Sequence, residues 1–114
     1  MRMFRFDEDV ARQIGPGFTG AGVLGGDAVH VGVLRVAAGH EIPRHPADPD
    51  QAMLVVAGRG EVCGADGAWR PIEAGQAAVW RAGEQHTTRA YEDLTVVVVE
   101  IADAPVHPRA VPLG

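Results

Sequence analysis

The sequence predicts an all-β domain, a sandwich or barrel of short strands carrying at most one short N-terminal helix. Three observations lead there. Fifteen glycines and eight prolines are spread along the 114 residues as punctuation rather than gathered in a linker. Helix-length windows with apolar residues at three-four spacing are nearly absent. Short β-branched runs recur at intervals of roughly 8–12 residues with turn residues between them.

Taken in order, Glu8–Ile14 is the one helical candidate, ended by Gly15-Pro16. Val29–Ala37 is a β-branched run closed by Gly39, and Met53–Val56 ends at Gly58. Glu61–Cys63 and Trp69–Ile72 flank Gly64-Ala-Asp-Gly67, a loop whose Asp-Gly suits positive φ in a hairpin. Ala77–Trp80 and Thr87–Tyr91 follow, and Leu94–Ile101 is the last long strand. Residues 104–114 read as an extended tail with three prolines. No repeat or linker divides the chain, so residues 1–114 are expected to form a single domain.

Composition narrows the function classes. A net charge of −5 gives no basic face for nucleic acid or anionic lipid. Cys63 stands alone, so no internal disulfide forms. Charges interrupt the N-terminal segment every few residues, unlike a signal peptide, and the longest apolar run is too short to span a bilayer. The expected location is cytoplasmic.

Two glycine-framed blocks carry the chemistry, residues 39–58 (GHEIPRHPADPDQAMLVVAG) and 75–90 (GQAAVWRAGEQHTTRA). Gly39 is followed by five residues and then His45, with Ala47 two further on, Gln51 after three more, and Gly58 six beyond that. Gly75 is followed by five residues, then Arg81, Ala82 and Gly83, then His86 and, after three more residues, Ala90. In this spacing the chain resembles the cupin superfamily, as a small single-domain member. The resemblance implies a jelly-roll barrel with a pocket in its mouth, and a homodimer.

Metal-binding members of that superfamily use three histidines and one glutamate to hold iron, manganese, nickel, zinc or copper. Here His45 matches the first histidine and His86 the third, Ala47 replaces the second, and Gln51 replaces the glutamate. Imidazoles suit borderline divalent metals, but a neutral amide brings no charge to offset a cation. The candidate metal ligands are therefore His45, Gln51 and His86, with Fe, Ni, Zn or Mn weakly held or absent. Asp48 and Asp50 could supply the missing carboxylate where Pro46 and Pro49 redirect the chain, but Asp50 in place of Gln51 is disfavoured, because a one-residue slip turns a strand side chain to the opposite face.

Alternation places Met53 beside Gln51 and Thr88 beside His86, and makes Ala47, Met53, Trp80 and Thr88 the expected pocket lining. Cys63 reads as a buried strand cysteine, and Arg81 as a solvated residue at the rim. His40 and Glu41 are expected in solvent, and His30 and His107 match no motif position. Three functions remain open. One is a small-molecule-binding cupin with a degenerate metal site, acting as a metal-dependent oxygenase or isomerase-like enzyme. Another is a metal-free ligand-binding or sensing module, and the third a structural or regulatory partner domain with a vestigial pocket.

Overall fold

The structure, a computed structural model, describes all 114 residues and contains ten strands and no helix. These are β1 (Arg12–Gly15), β2 (Phe18–Gly25), β3 (Val29–Val36), β4 (Glu41–Pro46), β5 (Gln51–Ala57), β6 (Arg59–Cys63), β7 (Trp69–Glu73), β8 (Ala77–Trp80), β9 (Gln85–Ala90) and β10 (Leu94–Ile101). They form two antiparallel sheets, one ordered β1-β2-β3-β10-β5-β8 and the other β4-β9-β6-β7. The chain crosses repeatedly between sheets, which is the jelly-roll pattern of a closed double sheet.

Glu8–Ile14 is not a helix. Residues 8–10 form a turn, with Val10 N–H donating to Asp7 O, and Arg12–Gly15 pairs with β2 as an edge strand. Seven residues at helical spacing cannot meet the cost of helix nucleation without a packed apolar stripe. Ile14 instead lies against Gly20 and Leu34, where a Cβ on Gly20 would collide with it.

The four framing glycines are backbone requirements. Gly39, Gly58, Gly75 and Gly83 have φ of 80°, 83°, 91° and 87°, the left-handed region that L-residues avoid. Gly58 also packs against the backbone of Asp93, leaving no room for a Cβ. In the hairpin loop Gly67 has φ of 73°, as its Asp-Gly sequence predicts, and Asp66 Oδ1 accepts from Ala68 N–H.

The core lies between the sheets. Along β10 the residues Leu94, Val96 and Val98 point inward and are buried, opposite Val36 of β3 and Met53 and Val55 of β5. Burying each such side chain contributes about 1.5–3 kcal/mol. From the other sheet, Ile42, Val62, Ile72 and Ala90 close the same cluster.

Candidate functional site

Both motif histidines come from the four-stranded sheet. His45 lies on β4 and His86 directly opposite on β9. Strand alternation alone would not put Ile42 and His45 on one face, because they are three residues apart. A register shift between them supplies the extra residue, so Ile42 faces Thr88 and His45 faces His86. Pro43, which has no N–H for the ladder, sits inside that irregularity. The ring centroids of His45 and His86 are 4.2 Å apart.

The same local device fixes the tautomer of both rings. His45 Nδ1 is 2.7 Å from Pro43 O and His86 Nδ1 is 3.1 Å from Glu84 O, each a carbonyl two residues earlier. A carbonyl only accepts, so each Nδ1 carries the hydrogen and, in a neutral ring, Nε2 presents a lone pair. His86 is 2% exposed, and its Nε2 is buried with no hydrogen-bond partner. Burial holds the His86 pKa below its ordinary value, with the neighbouring His45 acting in the same direction. The hydrogen bond to Glu84 O opposes that shift. His86 is thus a neutral, buried acceptor.

The opposite sheet covers this nitrogen-bearing end with Trp80, whose ring stacks on His86 at 4.3 Å and 22°. Gln51 is the cross-strand partner of Trp80, so its side chain leaves β5 on the same inner face. Met53 follows on that face, and Thr88 Oγ1 donates across the interior to Met53 Sδ at 3.6 Å. Ala47 is buried, held by Ala47 N–H to Glu84 O and Gly83 N–H to Ala47 O. The structure therefore brings together His45, His86, Trp80, Met53, Thr88 and Ala47, with half-buried Gln51 beside Trp80.

The nearby carboxylates are engaged elsewhere. Asp50 Oδ1 accepts from Ala82 N–H at 2.8 Å, tying the β4–β5 connection to the β8–β9 turn. Glu84 accepts from the backbone of Ala65 and Arg81. Cys63 is buried, Arg81 is exposed, and the rings of His40 and His107 hydrogen-bond only to backbone groups two residues away. Two hollows of about 530 and 380 Å³ lie away from the histidine pair, one beside His40 and Arg89 and the other beside Arg35 and Thr95.

The donor set tests the fit of the divalent metal that the motif implies. The Nε2 tautomers suit metal ligation, which requires the other ring nitrogen to be held by a hydrogen bond. Yet no third His, Cys, Asp or Glu joins the pair in a metal-binding group. Ala47 carries no donor, and Gln51 adds only a neutral oxygen. Two uncharged imidazoles and one amide do not fit a resident divalent centre.

Sequence spacing identified the histidine pair but missed the carbonyls of Pro43 and Glu84 that set its tautomers. The repeated geometry at two residues before each histidine emerges only in the folded chain.

Two antiparallel sheets in this strand order define the jelly-roll class. The cupin-domain family model matches residues 32–102, well over half of the chain, and the protein belongs to the cupin family. Solved structures agree on the fold. An RmlC-like cupin from Shewanella frigidimarina superposes with a TM-score of 0.78 at 17% identity, covering 92% of this chain and 95% of the other. KdgF from a Halomonas species gives 0.72 at 23% identity, covering 82% and 91%. The DMSP lyase DddQ from Ruegeria pomeroyi gives 0.70 at 19% identity, covering 92% and 58%. No curated protein matches the sequence.

Proposed function

We propose that this cupin binds a small organic molecule through the Nε2 atoms of His45 and His86, without a resident metal. The observation that carries the reading is His86 Nε2, a buried lone pair with no partner. Leaving such a group unsatisfied costs about 1–3 kcal/mol, which a ligand donor recovers on binding. The complementary ligand therefore offers hydroxyl or amine hydrogens to two adjacent acceptors. His45, only half-buried, is the side from which it enters, and Gln51 supplies an amide that both donates and accepts. The stacked face of Trp80 forms the apolar wall.

Neighbours that include a lyase share the fold at identities below 25%, which leaves the chemistry of this chain to its own residues. Those residues can bind and orient a ligand. Neither histidine has a carboxylate partner, so no catalytic step is assigned.

The test uses untagged, chelator-treated protein carrying Trp69→Phe, so that Trp80 is the sole tryptophan. Its emission is titrated against polyols, hydroxy acids and amino acids. A saturable change that disappears in His45→Ala and His86→Ala supports the proposal. No response to any compound, or a response that requires stoichiometric metal, overturns it.

A further inference from the structure

The side chain of Glu84 clasps two chain connections beside the histidine pair. Its Oε1 accepts from Arg81 N–H at 3.2 Å and its Oε2 from Ala65 N–H at 3.2 Å. The first bond closes the β8–β9 turn, which Glu84 N–H also closes by donating to Arg81 O at 2.9 Å. The second ties that turn to the loop of the β6–β7 hairpin. Hydrogen bonds from backbone amides to a carboxylate are charge-assisted, and two on one side chain hold its position closely.

Gly64 leaves room for this arrangement. Its φ lies outside the left-handed region, so the backbone does not demand a glycine there. A Cβ on Gly64 would instead collide with Glu84 Oε2, while every other atom lies 3.4 Å away or farther. The missing side chain is space reserved for the carboxylate.

The clasp matters because of the carbonyl it holds. Glu84 O is the group that accepts from His86 Nδ1 at 3.1 Å, and it stands at the end of the turn that the Glu84 side chain closes. His45 differs. Its Nδ1 donates to Pro43 O at 2.7 Å, a carbonyl on β4 outside the clasp.

We propose that Glu84 is a positioning residue that sets ligand specificity: its carboxylate fixes the carbonyl that keeps His86 Nε2 an acceptor, so the site selects ligands with hydrogens to donate. The proposal rests on the reading of the histidine pair as a ligand site. A His86 ring released from Glu84 O is free to carry its hydrogen on Nε2. That nitrogen then calls for an acceptor such as a carboxylate, and an amine is left facing another donor. Discrimination of this kind comes from the unpaired group that the wrong ligand creates.

Long-range nitrogen–hydrogen NMR of the histidine rings, at about pH 8 where His86 is neutral, tests this. Glu84→Ala is expected to give His86 a population protonated at Nε2, while His45 stays protonated at Nδ1. Glu84→Gln keeps one acceptor oxygen for two amides and should give a smaller population. Gly64→Ala leaves every polar group in the chain but pushes the carboxylate aside. It is expected to match Glu84→Ala, and the two combined should do no more than either alone. In the Trp69→Phe background, Trp80 emission then reads methylammonium, which only donates, and acetate, which only accepts. Glu84→Ala is expected to weaken the methylammonium response about tenfold, the scale of one hydrogen bond, and to strengthen the acetate response.

A His86 tautomer unchanged in both Glu84→Ala and Gly64→Ala overturns the proposal. So does a shift of both histidines together, which marks a general loosening of the site. A wild type silent to methylammonium contradicts the binding reading alone, and the ring populations decide the Glu84 assignment in either case.

Discussion

Around Leu94, Val96 and Val36 the space between the sheets is filled by carbon alone, whereas around His86 it holds a polar ring with an unpaired nitrogen. Both regions are almost fully buried, at 0–2% exposure for these four residues. The first follows the ordinary rule that interiors exclude groups they cannot satisfy. The second breaks it at one atom. A stability-driven interior has no use for His86 Nε2, so that region is organised for something other than packing.

The largest effect is expected at the apolar end. Leu94→Ala leaves a cavity among Val36, Phe18 and Val96 and is expected to cost about 2–5 kcal/mol, read from urea denaturation. His86→Leu should behave oppositely. It removes the orphaned nitrogen, and Glu84 O keeps its bond from Ala47 N–H, so stability should change by less than about 1.5 kcal/mol while ligand response disappears. A loss as large as that of Leu94→Ala would show that the two regions are energetically alike.

Acid should separate them further. The folded-state pKa of His86 lies below the unfolded value of 6.5. The unfolded chain therefore takes up the proton first, and the His86 contribution falls as pH drops from about 6.5 through the folded pKa. Above that window it is constant. The wild type should lose stability more steeply than His86→Gln between pH 7 and pH 5 on the order-of-magnitude scale set by such linkage. Equal slopes would remove the argument for a buried neutral ring.

The smallest structural change is Gln51→Glu, which should leave the fold intact and add a negative charge on the inner face beside Trp80. Nickel or zinc is then expected to raise the melting temperature of the variant but not of the wild type. A metal-dependent rise in the wild type would mean that two imidazoles and an amide suffice.

The sequence shows some of this plainly and conceals the rest for identifiable reasons. The framing glycines were legible because positive φ leaves few alternatives to glycine. Leu94–Ile101 was legible because of its β-branched run, and Ala77–Trp80 because turn glycines at 75 and 83 bracket it. β2 was hidden by its opening five residues FTGAG, where two glycines imitate a turn, and β4 by its two prolines. Edge placement and a register shift tolerate both. The Glu8–Ile14 spacing suggested a helix because Ile14 falls on a helical repeat, yet that side chain caps Gly20 and Leu34 from an edge strand. His45 and His86 were found by spacing. Their shared tautomer was not, because it depends on where two backbone carbonyls point after folding.

The most direct test of the central claim is long-range nitrogen–hydrogen NMR of the histidine rings in metal-free protein. The expected result is a His86 ring protonated at Nδ1, with an unprotonated Nε2 whose shift moves when a hydroxylated or amine ligand is added. A His86 ring protonated at Nε2, or one whose Nε2 responds to divalent metal alone, would contradict the account.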